Sequence, residues 1–218
     1  MSTPSIKLPS RYVITIGRAF GAGGRELGRI LADRLGIAYY DKELLNEAAR
    51  RSGMSEAVFE KNDERAPGVL SGLQPLNLGF NALTWYSSPS GTSGEAVYRA
   101  QSDFIHEIAN QGPCVIVGRT ADYILRDRSD VLSIFLHAPE DVCVERILRR
   151  GDCDDAEKAR AIIRKTNKLR SEFYNFYTDN TWGAADTYHL TFDSSAMPME
   201  ALADIVTAFL SKFLAGNK

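Results

Sequence analysis

Glycines and arginines at the ends of apolar runs are the residues best suited to chemistry. Gly17-Arg-Ala-Phe-Gly-Ala-Gly-Gly24 follows the β-branched run Tyr12-Val-Ile-Thr-Ile16 and leads into Leu27, Ile30, Leu31 and Leu35 at helical spacing. Such a junction sets the unpaired N–H groups and positive end of a helix beside glycines that let an anion approach the backbone. The glycines crowded into Gly21-Ala-Gly-Gly24 favour an anion site over a bare turn. Gly21, Ala22, Gly23 and Gly24 are therefore the candidate cofactor-binding residues. Two motif readings stay open. A dinucleotide fingerprint, G-x-G-x-x-G, finds its first two glycines in Gly21 and Gly23, has Glu26 at the third, and takes Asp41 as its ribose-binding acid. A phosphate loop, G-x-x-x-x-G-K-[ST], aligned on the same glycines puts Arg18 at its first glycine and Gly24 at its lysine. Glu26 reads as a first-turn carboxylate that suits the helix dipole.

The cations come next. Arg18 and Arg25 flank the glycines, and each brings a permanently charged fork suited to phosphate. Either could stand in for the missing lysine. Arg119 follows the uninterrupted apolar run Cys114-Val-Ile-Val117, and a charge at the end of a buried strand needs a partner. Arg160, Arg164, Lys168 and Arg170 form a basic cluster on one long helical pattern, which is either a binding surface or a solvated face. Arg99 and Gln101 lie on the helix before Cys114 and suit either substrate contact or a polar outer face. Asp122 reads as a helix-start carboxylate.

These residues need elements to hold them. Strand and helix signals alternate: strands over Tyr12–Ile16, Ile37–Tyr40, Cys114–Val117, Val131–Leu136 and Tyr188–Phe192, with helices between and after them. A short helix is expected around Leu44, Leu45 and Ala48. Pro139 is expected at the first position of one helix, Asp154-Asp-Ala-Glu157 opens another, and Pro198 begins the last. Residues 62–94 break the pattern with Pro67, Pro75 and Pro89 and the glycines at 68, 72, 79, 91 and 94. They read as an insertion, either substrate-binding or a surface excursion, ending where Thr92-Ser-Gly-Glu95 gives a capping-box spacing. Five strands with helical crossovers imply an α/β protein with a mostly parallel, doubly wound sheet.

At 218 residues the chain is expected to form a single domain. A formal net charge of −2 argues against bulk attraction to nucleic acid or an anionic membrane, so any anion site is local. No apolar run reaches membrane-spanning length, and Met1 to Ser10 lacks the apolar core of a signal peptide. Cys114, Cys143 and Cys153 match neither a disulfide framework nor a zinc site, and His106, His137 and His189 form no metal-ligand pair. Reduced thiols and a cytoplasmic location are the simplest expectation.

Several segments, in order, carry a resemblance. Ile14-Thr-Ile-Gly-Arg-Ala-Phe-Gly-Ala-Gly-Gly-Arg-Glu26, Tyr39-Tyr-Asp-Lys-Glu-Leu44, Val115-Ile-Val-Gly-Arg-Thr-Ala-Asp-Tyr-Ile-Leu125, Lys168-Leu-Arg-Ser-Glu-Phe-Tyr174 and Tyr188-His-Leu-Thr-Phe-Asp-Ser194 resemble the cytidylate-kinase-like family. The resemblance covers most of the chain outside residues 62–94. It implies a three-layer P-loop NTPase-like fold and transfer of the γ-phosphoryl group of ATP, with Mg²⁺, to a nucleoside monophosphate such as CMP or dCMP. It implies that Gly118 and Arg119 match a Gly-Arg-Asp motif near the monophosphate, with Thr120 in place of the aspartate. Asp41, Arg99 and Arg119 are then the expected substrate-binding residues. Arg18, Arg25, Arg164 and Arg170 are the expected catalytic cations, the last two in a lid-like segment at about 150–180. Asn167 stands where relatives carry aspartate. Other readings are a nucleotide-binding regulator without turnover and a dinucleotide-dependent enzyme. Partners are expected to be small-molecule nucleotides; oligomeric state stays open.

Overall fold

The computed structural model describes residues 9–41 and 92–216. The expected helix at Leu44–Ala48 and residues 62–91 of the expected insertion lie outside them. β1 (Val13–Arg18), β3 (Cys114–Val117) and β4 (Val131–His137) are the centre of a five-stranded sheet, with β2 (Ala38–Tyr40) and β5 (Leu190–Asp193) at its edges. The strand order is β2-β3-β1-β4-β5, and all four pairings are parallel. This order inserts β3 between β1 and β2, unlike the 3-2-1-4-5-6 order of dinucleotide-binding sheets.

The central strands are apolar throughout because both of their faces are covered. Ile14, Ile16, Val115 and Val117 face one helical layer, α1 (Gly24–Leu35) and the terminal α6 (Met199–Gly216), through Leu27, Leu31, Leu202, Val206 and Leu210. Val13, Cys114 and Ile116 alternate to the other face and meet Phe104, Ile105 and Ile108 of α2 (Thr92–Gln111) and Ile124 of α3 (Ala121–Ile124). The result is three layers.

A separate cluster, Cys143, Val144, Ile147, Ala159 and Ile163, joins α4 (Glu140–Arg149) to α5 (Ala156–Tyr177). Asp155 caps α5 by accepting from the Lys158 N–H at 2.7 Å, as its acidic start suggests. Pro139 is the residue before α4 rather than its first residue. β1 runs two residues further than its β-branched run, because Gly17 and Arg18 pair with Phe135 and Leu136. The four-residue α3 is not visible in the sequence, being too short to show a period. All three cysteines are free and buried, and burial pushes the Cys114 thiol up to about 12, so it behaves as core.

Candidate phosphate and acceptor site

The carboxyl ends of β1 and β3 open together because these strands are neighbours. Beyond β1 the chain turns through Ala19 to Gly23 into α1. Gly21 and Gly23 both sit at φ 84°, a left-handed conformation that glycine adopts readily. Left-handed residues alternating with ordinary ones curl the amides into a concave anion-binding shape at a helix start. α5 is fastened to this turn. Asn167 Oδ1 accepts from the Phe20 N–H at 2.7 Å, Arg170 donates to the Arg18 carbonyl at 3.1 Å, and the Arg170 guanidinium lies 5.5 Å from the centre of the Phe20 ring.

Beyond β3 the backbone is strained. Gly118, Arg119 and Thr120 are at φ 85°, 59° and 51°, and the last two hold left-handed geometry without being glycine. Arg119 and Thr120 are nonetheless buried, at 5% and 6% exposure. This strained turn carries Arg119 into a pocket and starts α3 immediately, so that Asp122 follows Arg119 into the same pocket.

That pocket is lined by three arginines, Arg18, Arg119 and Arg170, together with Asp122, Tyr174 and Tyr188. Tyr174 donates to Asp122 Oδ2 at 2.6 Å. Burial raises the Asp122 pKa, against the lowering effect of hydrogen bonds from Tyr174 and from its own and the Tyr123 amides. Burial also raises the pKa of Tyr174 and of Tyr188, each with a further push from Asp122, so both remain phenols. Phe135 holds the aromatic wall in place, 5.0 Å from Tyr188 and 5.2 Å from Trp182 between ring centres.

Of the sequence-derived residues, the structure brings Arg18, Arg119 and Arg170 together around one pocket. Arg25 is exposed on the first turn of α1, on the side of Tyr39. Arg99 is exposed on α2. Arg164 is engaged elsewhere: it donates to Glu140 at 2.9 Å and 3.1 Å, and Arg160 joins the same carboxylate. These two arginines hold Glu140 below the usual carboxylate range. Asp41 is buried at the end of β2 and accepts from the Tyr39 hydroxyl at 3.3 Å. Sequence reading misses the pocket role of Asp122, whose partner Tyr174 lies far along the chain. It marks Asn167, but not for the bond to the glycine turn.

Among the described residues no three histidine, cysteine, aspartate or glutamate side chains gather as a metal site. Glu26, on the first turn of α1, is exposed. The glycine turn and the three guanidiniums do fit a polyphosphate.

The model of the cytidylate kinase-like family matches residues 13–196. The chain belongs to that family. This member carries glycine where the phosphate-loop motif has lysine. Among solved structures, an uncharacterized protein from Eubacterium ventriosum is 27% identical with a TM-score of 0.69, covering 93% of this chain and 99% of that one. A gluconokinase from Sinorhizobium meliloti is 14% identical with a TM-score of 0.54, covering 94% and 96%. A shikimate kinase from Acinetobacter baumannii, in complex with shikimate, is 15% identical with a TM-score of 0.51, covering 93% and 94%. The last two establish the P-loop kinase fold. A comparison with curated proteins gives no match. No described helix is long and apolar enough to cross a membrane.

Proposed function

We propose that this cytidylate kinase-like protein transfers the γ-phosphoryl group of ATP to a small acceptor, with a nucleoside monophosphate such as CMP or dCMP as the family's first candidate. The observation that carries the reading is the convergence of Arg18, Arg119 and Arg170 beside the glycine turn. Phosphoryl transfer asks a protein for positioning and for neutralisation of charge on the equatorial oxygens, and three guanidiniums supply both. ATP supplies the phosphoryl group, and Mg²⁺ enters on its phosphates. The bond from the γ-phosphorus to its bridging oxygen breaks, ADP leaves with that oxygen, and the acceptor oxygen bonds to phosphorus. Arg170, held to the Arg18 carbonyl and against Phe20, orients the glycine turn while facing the pocket.

Asp122 favours a second reading of the acceptor. A monophosphate oxygen has little need of a base, whereas a hydroxyl must lose a proton as it attacks. A half-buried carboxyl with a raised pKa, held by Tyr174 in the same pocket, is suited to take that proton. The hydroxyl acids shikimate and gluconate, suggested by the two kinases of the same fold, are the first such acceptors to try.

The test is ADP release with Mg²⁺ and ATP across CMP, dCMP, UMP, AMP, GMP, shikimate, gluconate and no acceptor, beside Arg170→Ala. Acceptor-dependent turnover that falls by roughly 10²-fold or more in the variant is expected. Measurable ATP binding with no turnover on any acceptor would favour a nucleotide-binding regulator instead.

A further inference from the structure

The position of the P-loop lysine is held by Gly24, and the space beside Gly24 is filled. A Cβ added there would lie 2.8 Å from Cγ and 2.9 Å from Cβ of Arg18, closer than real Cβ atoms approach. The Arg18 stem thus lies across the α-carbon from which the lysine would grow. Its far end meets a second glycine. A Cβ on Gly118 would collide with Nη1 of Arg18 and lie 2.7 Å from its Cζ, and Gly118 is at φ 85°. Arg18 therefore starts at the end of β1, passes over Gly24, and ends against Gly118 in the pocket it shares with Arg119 and Arg170.

We infer that Arg18 supplies, from the strand end, the phosphate-contacting cation that a P-loop lysine supplies from the helix, that Gly24 is glycine because the Arg18 stem lies across it, and that Gly118, a glycine for its left-handed φ, leaves room for the Arg18 fork. The absent lysine is then a relocation of charge, not its loss. A lysine at 24 and an arginine at 18 would compete for one channel, so the two positions are coupled. The change also has a chemical consequence: a planar fork can bind two oxygens of one phosphate where an ammonium offers a point charge. The inference rests on the phosphoryl-transfer reading, and ATP binding is the readout because it does not depend on the acceptor.

The experiment measures Mg²⁺–ATP affinity by titration calorimetry for the full chain and for Arg18→Ala, Arg18→Lys, Gly24→Lys and the Arg18→Ala/Gly24→Lys double variant. Circular dichroism establishes that each is folded. Removing one charged hydrogen-bonding group should weaken ATP by about ten- to a hundredfold in Arg18→Ala. Gly24→Lys alone should weaken it too, because its side chain collides with the Arg18 stem. The double variant should bind better than either single variant, since the lysine then has the vacated channel. Arg18→Lys should retain part of the affinity and serves if Arg18→Ala does not fold. Wild-type affinity in Arg18→Ala, or a double variant as weak as the sum of its parts, would overturn the role given to Arg18 and leave the phosphate site standing. A wild-type chain that fails to bind ATP would instead overturn the phosphate-site reading beneath it.

Discussion

Asp122 is where chemistry and stability pull against each other. Its pKa is raised, so the folded chain holds the proton more tightly than the unfolded chain does. Stability from this group is present at low pH and falls as pH rises from the ordinary carboxylate range through the raised value. An amide in its place could not ionise and would escape that loss. Asp122→Asn is therefore expected to melt higher than wild type at pH 8 and to lose this advantage near pH 4, as scanning calorimetry would read. Its kinetics separate the two acceptors: turnover of a hydroxyl acceptor should drop by roughly 10²-fold or more, while turnover of a monophosphate should stay within a few-fold. Arg18, Arg119 and Arg170 are legible in the sequence because charge at strand ends and on a helix is visible locally. Asp122 reads there only as a helix-start carboxylate, because its hydrogen-bond donor Tyr174 and the strained Arg119–Thr120 turn exist only after folding. Arg164 stands out for the same reason as Arg170, charge on one helix, but Glu140 on α4 takes it.

At the scale of elements, the glycine turn works because three elements grip it. β1 leads in, α1 leads out, and α5 holds it through Asn167 and Arg170. α4 presses from outside: a Cβ on Gly21 would lie 2.7 Å from the Cys143 Cβ and 3.0 Å from the Cys143 Cα and carbonyl oxygen, with Gly21 itself at φ 84°. Gly21→Ala must therefore both strain the turn and push a helix backbone, and a loss of at least about 2 kcal/mol is expected. Urea denaturation of the variant against wild type checks it; an unchanged midpoint would mean that α4 yields freely. Helix and strand positions are legible from apolar spacing and from Pro139 and Pro198 as punctuation. The clasp of α5 on the turn is not, because Asn167 and Phe20 are 147 residues apart and each alone suits many environments.

Across the whole molecule, a parallel sheet buried on both faces sets the positions of its strand ends, and those ends carry the site. Leu132, fully buried in β4 beside β1, is part of that foundation. Leu132→Ala should cost about 2–5 kcal/mol with little change in the denaturant slope, since the surface exposed on unfolding is nearly the same. The number of strands and their parallel pairing follow from alternation of apolar runs with helices. The order β2-β3-β1-β4-β5 does not, although it is what sets Gly118 beside Arg18 and gives Arg18 its channel. On the reading proposed above, these strand ends hold ATP for phosphoryl transfer to an acceptor. The most direct check is to incubate the full chain with Mg²⁺ and ATP radiolabelled at the γ-phosphate, with and without CMP or each hydroxyl acid, and to separate the products. Label is predicted on the acceptor in at least one reaction, at a rate well above that of the Arg170→Ala variant. Label confined to ATP and free phosphate with every acceptor would contradict the proposed transfer.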